Sequence, residues 1–149
     1  MTDYDQLLEQ SRSLLKGQND LVANAANLSS LLFHSMEQVN WVGFYFLKGG
    51  RLIVGPFQGR PACVEIPLGR GVCGTAAETW EVQRVADVHA FDGHIACDLA
   101  SRSEIVIPLI INQQLLGVLD LDSPETGRFD QADEDFLVSV ATVFLDSLE

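Results

Sequence analysis

The sequence predicts an α+β domain in which helices pack on an antiparallel sheet, and three observations support this prediction. Apolar residues recur every three or four positions near both ends of the chain, which is typical of amphipathic helices. The middle of the chain instead holds short apolar runs separated by glycine-containing turns, which is typical of strands. The resulting order of helix, helix, strands, helix, strands and helix fits a sheet with helices packed on it.

Two helices are predicted at the start of the chain. The first runs from about Asp3 to Lys16, has a narrow apolar stripe and ends at Gly17. Asp20 can cap the second helix, which should end before Asn40. One side of this second helix should be buried, because its apolar residues have helical spacing: Leu21, Ala25, Leu28, Leu32 and Met36.

A hairpin is predicted next, since the apolar runs 41–47 and 52–54 flank the turn Lys48-Gly49-Gly50-Arg51. Further strands are predicted at 63–66, 82–86, 104–111 and 115–122. A glycine-rich turn opens a central helix and places Cys73 near its start. The last helix should begin at Asp130, with Asp133 three residues on, and bury its apolar face. The stretch 87–102 has no clear period, and such long irregular segments are usually functional or disordered.

Length and charge restrict the class of protein. A chain of 149 residues with 47% hydrophobic residues can fill one sizeable core, so we expect a single domain over 1–149. The formal charge of −12 disfavours nucleic acid and anionic membranes as partners. The first residues carry neither a basic nor an apolar signal segment, so we expect a soluble, cytoplasmic protein.

The three cysteines, Cys63, Cys73 and Cys97, are candidates for thiol chemistry. In a chain expected inside the cell they should be reduced rather than form a permanent framework. Cys97 is near His89 and His94 in the irregular stretch, where an imidazolium would favour the thiolate. Cys73 competes with Cys97 as nucleophile, because a helix N-terminus also lowers the pKa of a thiol. Spacing does not decide between them, and each cysteine could instead be a small buried apolar residue.

Acidic residues on the last strands are the second unusual feature. Alternation places Asp120 and Asp122 on one face of an otherwise apolar strand. That face either lines a polar pocket, or Asp122 merely begins the turn at Ser123-Pro124. Glu104, at the start of the preceding strand, could face the same pocket or lie solvated at the strand end.

Three other kinds of site are disfavoured. His89, Asp92, His94 and Cys97 match no common zinc spacing, so no metal is expected. The chain lacks the G-x-S-x-G elbow of a serine hydrolase. The glycines of 69–74 fit the spacing of a dinucleotide fingerprint but lie in no evident parallel βαβ unit.

At these same residues the sequence resembles the free methionine-(R)-sulfoxide reductases, a family of GAF-domain proteins. The resemblance runs from Trp41 to Ser123 and covers all three cysteines. It rests on NWVGFY at 40–45, GPFQG at 55–59, ACV at 62–64, GRGVCGT at 69–75, DGHIACD at 92–98 and GVLDLDS at 117–123. The resemblance implies a GAF fold, with a central antiparallel sheet flanked by helices.

The resemblance also implies roles for individual residues. Cys97 would attack the sulfoxide, Cys63 would be the main resolving thiol and Cys73 an auxiliary one. The acids Glu104, Asp120 and Asp122 would hold the sulfoxide oxygen and the substrate ammonium. The methyl end of the substrate would lie against an aromatic wall made of Trp41 and Tyr45.

The activity implied is thiol-dependent reduction of free L-methionine-(R)-sulfoxide, with a Cys97 sulfenic acid and an intramolecular disulfide as intermediates. Thioredoxin would regenerate the thiols, no cofactor would be needed, and the chain would form a homodimer. The alternative is a GAF module that binds a small ligand or senses redox state without turnover.

Overall fold

The structure is a computed structural model that describes residues 2–93 and 100–149. In this part of the chain, four α-helices and one short 3-10 turn accompany a six-stranded sheet, which confirms the predicted α+β class. The predicted nucleophile Cys97 and its neighbour His94 lie outside the described residues. The elements are α1 (Tyr4–Leu15), α2 (Leu21–Ser35), β1 (Trp41–Lys48), β2 (Arg51–Gly59), β3 (Glu65–Pro67), α3 (Gly71–Thr79), β4 (Gln83–Val85), β5 (Ser103–Ile111), β6 (Gln114–Ser123) and α4 (Gln131–Ser147).

The strands lie in the order β3-β2-β1-β6-β5-β4, and each described pair is antiparallel. This order makes β6 the neighbour of both β1 and β5, although β1 is distant from β6 in sequence. Side chains that alternate along these three strands therefore meet on a common face.

The two faces of the sheet have separate apolar cores. One face packs on α2 and α4, and α1 packs on these two helices. The largest fully buried side chains of this core include Phe44, Leu119 and Phe144. The other face packs on α3, and its core cluster includes Tyr45 and Val118 of the sheet and Ala76 of α3. Alternation in β1 explains the division, because Phe44 and Tyr45 point to opposite faces.

The predicted helix caps are confirmed. The Asp20 carboxylate accepts a hydrogen bond from the Ala23 backbone N–H at 2.9 Å and begins α2. Asp130 and Asp133 form a capping box at the start of α4, each accepting from the other's backbone N–H. Each such cap satisfies helix N–H groups that have no partner within the helix.

The hairpin of β1 and β2 is confirmed, but β2 extends past the predicted end at Val54 to Gly59. Gly55 and Pro56 follow the apolar run directly, and these residue types usually interrupt a strand. In the structure the ladder passes from Tyr45–Val54 to Gly43–Phe57, which leaves Gly55 and Pro56 in a bulge. A bulge accepts proline because its residues need not donate to the ladder.

A polar contact joins the terminal helices. The Tyr4 hydroxyl donates to Asp133, while the Tyr4 ring stacks on Phe136 at a centroid distance of 4.1 Å. Arg128 contacts the same carboxylate at 3.0 Å and donates from Nε to the Glu37 carbonyl at 2.9 Å. None of the helices in the described ranges is long and apolar enough to cross a membrane.

Candidate active site

The register of the three central strands brings the predicted acids together. Asp122 in β6 pairs with Trp41 in β1 on one side and with Glu104 in β5 on the other. Asp120, which precedes Asp122 by two residues in β6, lies between Gly43 of β1 and Val106 of β5. Because residues two apart share a face, Asp120 and Asp122 both point to the side covered by α3.

Gly43 leaves the space that the aromatic wall occupies. A Cβ atom at this position would lie 2.4 Å from Phe57 Cβ and 2.6 Å from the Trp41 ring. The Trp41 ring instead lies over the glycine, stacked with Phe57 and with Tyr45 at centroid distances of 5.2 and 5.8 Å. Both predicted wall residues are buried and line one cavity.

The cavity lies between the sheet and the start of α3. The three acids and the two aromatic residues belong to its sheet side, and the α3 side contributes Arg70, Gly71, Val72 and Cys73. Pro61, Ala62, Ile66 and Ser101 complete the lining. The exposed Pro61 and Arg70 form the rim, while Asp120 and Cys73 are buried deeper.

Burial sets the charge state of the two innermost acids. The side chains of Glu104 and Asp120 are only 9% and 4% exposed. Burial raises the pKa of both carboxyls well above the usual range. The charge of Asp120 raises the pKa of Glu104 further, and the charge of Asp122 does the same for Asp120. At least one of them can therefore keep its proton near neutral pH and donate it.

Glu104 is thus a cavity residue and not a solvated strand end, and β6 continues through Asp122 to Ser123. The sequence left open whether the acids line a polar pocket or lie in a turn or at a solvated strand end. The structure places all three in the polar pocket. Asp122 is half-buried beside the rim, whereas the other two are buried.

Of the two interpretations of Cys73 that the sequence left open, an activated thiol or a small buried residue, the structure favours the second. Cys73 is a free, buried thiol whose Sγ donates to Glu104 Oε2 at 3.7 Å. Burial raises its pKa well above the usual value, and the charges of Asp120 and Glu104 raise it further. The N-terminus of α3 does not offset these effects, so Cys73 is protonated and a poor nucleophile in this arrangement.

The segment that carries Cys63 is fixed to the aromatic wall. The Trp41 indole N–H donates to the Arg60 carbonyl at 3.0 Å, and the Tyr45 hydroxyl donates to the Cys63 carbonyl at 3.3 Å. Cys63 itself is in a disulfide. These bonds hold the segment beside the cavity, which its neighbour Ala62 lines.

Two polar side chains of the cavity, those of Arg70 and Ser101, were missed by the sequence analysis. Among the described residues that line the cavity, Arg70 is the one with a basic side chain. Ser101 is 6% exposed, and its Oγ has no hydrogen-bond partner among the described residues. Arg70 stands within the quoted GRGVCGT motif, which gave a signal, whereas Ser101 follows the irregular stretch and gave none.

Of the four residues considered as a metal site from the sequence, His89 and Asp92 are exposed, and His94 and Cys97 lie outside the described residues. A different set of possible ligand atoms, from Cys73, Glu104 and Asp120, lies within 4.8 Å of one another.

Known proteins share the fold of this chain. The GAF domain model matches residues 5–144. The free methionine-R-sulfoxide reductase of Escherichia coli is 53% identical over 131 residues, which cover 88% of this chain and 79% of that protein. The fRMsr of Staphylococcus aureus, solved in complex with substrate, superposes with a TM-score of 0.96 at 47% identity and covers 100% of this chain and 97% of its own.

A third relative is the free methionine-R-sulfoxide reductase of Neisseria meningitidis, also solved with its substrate. It is 40% identical, covers 97% of this chain and 87% of its own, and has a TM-score of 0.94. The fold, the acid-lined cavity and these likenesses agree, and the chain belongs to the free methionine-(R)-sulfoxide reductases of the GAF-domain family.

Proposed function

We propose that this chain reduces free L-methionine-(R)-sulfoxide to methionine in the cavity between β6 and α3. The observation that carries the proposal is the pair of buried acids, Glu104 and Asp120, whose pKa values are raised beside an aromatic wall. The relatives with solved substrate complexes support the choice of substrate.

The raised pKa values suit the chemistry at the sulfoxide oxygen. A thiolate attacks sulfur efficiently only if negative charge that develops on the oxygen is neutralised by a proton or a strong hydrogen bond. A protonated Glu104 or Asp120 supplies that donor within a cavity of restricted water access. The acid that remains ionised binds the substrate ammonium.

The remaining parts of a free amino acid have matching groups on the cavity wall. The methyl end packs on the rings of Trp41 and Tyr45, which line the cavity. We assign the α-carboxylate to Arg70 and to the backbone N–H groups at the start of α3, which favour an anion. A methionine within a polypeptide has neither the ammonium nor the carboxylate, so it should be rejected.

The thiol steps that we propose begin at Cys97. Its thiolate attacks the sulfoxide sulfur, and the sulfoxide oxygen takes a proton from the protonated cavity acid. The S–O bond and the transient bond between the two sulfur atoms then break as the hydroxyl passes to the Cys97 sulfur, which yields methionine and a Cys97 sulfenic acid. The Cys63 thiol then condenses with the sulfenic acid, forming a Cys63–Cys97 disulfide and releasing water. A dithiol reductant, proposed to be thioredoxin, reduces the disulfide and is itself oxidised.

Support for Cys63 as resolving thiol comes from its half-buried position on the segment beside the cavity and from its disulfide-bonded state. An auxiliary role of Cys73 stays a prediction. It would require this thiol to leave the acids that raise its pKa.

We also propose a cytoplasmic homodimer that forms through the terminal helices. Large apolar side chains are exposed on these helices, with Leu14 of α1 exposed by 37% and Val138 of α4 by 41%. Covering them would give a dimer a favourable apolar contribution. Light scattering of the pure protein tests this part independently of activity.

The function is tested by supplying the two epimers separately. The pure protein is given thioredoxin and either the R or the S epimer of free methionine sulfoxide, and methionine is quantified. We expect release from the free R epimer and little from the S epimer or from a peptide containing the R sulfoxide. Ligand binding without any methionine release would instead establish a non-catalytic GAF module.

A further inference from the structure

We propose that Cys73, Glu104 and Asp120 form a binding site for a zinc-class divalent cation on the floor of the cavity. The Cys73 Sγ and one carboxylate oxygen from each acid all lie within 4.8 Å of one another. The cation is not a cofactor of sulfoxide reduction. It occupies the substrate cavity and excludes the substrate.

The spacing of the Cys73 thiol and the Glu104 carboxyl already matches a zinc site. Tetrahedral zinc, with Zn–S near 2.3 Å and Zn–O near 2.0 Å, sets its sulfur and oxygen ligands about 3.5 Å apart. The Sγ of Cys73 and the Oε2 of Glu104 are 3.7 Å apart. The Asp120 oxygen lies within 4.8 Å of both atoms, so a side-chain movement on the order of 1 Å would complete the set of ligands.

The kinds of ligand favour zinc over magnesium or calcium. A thiolate combined with carboxylates suits a borderline-soft cation, whereas Mg²⁺ and Ca²⁺ prefer oxygen ligands throughout. Three protein ligands also leave a fourth tetrahedral position for water, as in open zinc sites.

Two buried polar atoms independently indicate a polar occupant of the cavity. The Oγ of Ser101 and the Oδ1 of Asp120 are buried and have no hydrogen-bond partner among residues 2–93 and 100–149. Both residues line the cavity, and they are 6% and 4% exposed. Since buried polar atoms are normally satisfied, a bound cation and its water would account for both atoms.

The charge balance is consistent with a cation. Three acids line the cavity, and Arg70 at the rim is the one basic residue in the described lining. A divalent ion offsets their mutual repulsion, and coordination removes the proton of the Cys73 thiol, which then leaves the protein.

The experiment is a Co²⁺ titration of the reduced full chain that carries Cys63→Ser and Cys97→Ser, so that Cys73 is its remaining thiol. We expect a thiolate-to-cobalt charge-transfer band that saturates near one equivalent and disappears when Zn²⁺ is added. Because no sulfoxide is present, a negative result here would leave the proposed reductase function standing.

Matched variants in the same background identify the ligands. Cys73→Ser should abolish the band, and Glu104→Gln or Asp120→Asn should weaken Co²⁺ binding about tenfold or more. Glu81→Gln, an exposed acid outside the cavity, should change nothing. Near-UV circular dichroism checks that each variant is folded. Absence of the band, or carboxylate variants that bind Co²⁺ as tightly as the parent protein, would overturn the proposal.

Discussion

Glu104 and Asp122 are cross-strand partners in the β5–β6 ladder, and Trp41 is the partner of Asp122 on its other side. This row, together with Asp120 two residues away, places like charges on the cavity side of the sheet. Carboxyls held so close and so far from water disfavour their own ionisation, which reduces the stability of the fold while preparing an acid for chemistry.

Replacement of Asp120 by asparagine should stabilise the fold and impair the enzyme. The folded-state pKa of Asp120 is raised above its unfolded value, so the unfolded chain loses this proton first as pH rises. The wild type therefore loses stability above about pH 4, and Asp120→Asn does not suffer this loss.

At pH 7 Asp120→Asn should raise the free energy of unfolding by at least about 1 kcal/mol, and the difference should vanish near pH 3.5. Urea unfolding at both pH values measures this, with Glu81→Gln as the exposed control. The same variant should lower kcat/KM by about a hundredfold. A variant that is less stable than wild type at pH 7 and fully active would show that the carboxylate pocket has been misinterpreted.

Removal of the Tyr45 hydroxyl should affect resolution of the sulfenic acid more than its formation. The hydroxyl donates to the Cys63 carbonyl at 3.3 Å, whereas the ring itself forms part of the cavity wall. Tyr45→Phe should reduce steady-state turnover by about fivefold, the effect of one neutral hydrogen bond. Stopped-flow measurement should find the first release of methionine unchanged, and a slowed first release would contradict this role.

Tyr4→Phe provides the matched control, because Tyr4 lies between the terminal helices and not at the cavity. It should leave turnover unchanged and destabilise the fold by about 1 kcal/mol at pH 8. Burial, followed by the hydrogen bond to Asp133, raises the pKa of Tyr4 to about 12.

The contribution of Tyr4 is therefore fully present below pH 10, the unfolded-state pKa, and is lost as pH rises toward 12. Unfolding curves of the wild type and Tyr4→Phe should converge over that interval. A constant difference up to pH 12 would mean that the hydroxyl contributes nothing through its proton.

Arg70→Met should raise KM for the free sulfoxide by about tenfold with little change in kcat, because the lost contact is made equally in ground and transition states. Arg60→Met is the matched control, since the Arg60 side chain is exposed and absent from the cavity lining. A fall in kcat at unchanged KM would place the substrate carboxylate elsewhere.

Much of the site follows from local pattern. Alternation alone put Asp120 and Asp122 on one face, and the glycine-rich turn placed Cys73 at the start of α3. Which strands are neighbours is a non-local property, so the pairing of Asp122 with both Trp41 and Glu104 required the structure.

The charge state of Cys73 likewise depends on packing. Sequence position indicated a helix N-terminus and hence a lowered pKa, but the opposite effect of burial beside two acids is larger. Ser101 was missed for a related reason, since burial of an ordinary serine leaves no local pattern.

The most direct test compares methionine release by fully reduced Cys63→Ser and Cys97→Ser proteins that receive the R sulfoxide without added reductant. Cys63→Ser should release about one methionine per chain and then stop, because its sulfenic acid is not resolved. Cys97→Ser should release none, and its near-UV spectrum should show that it is folded. Sustained turnover by Cys97→Ser with thioredoxin would contradict the account and assign the nucleophile to another thiol.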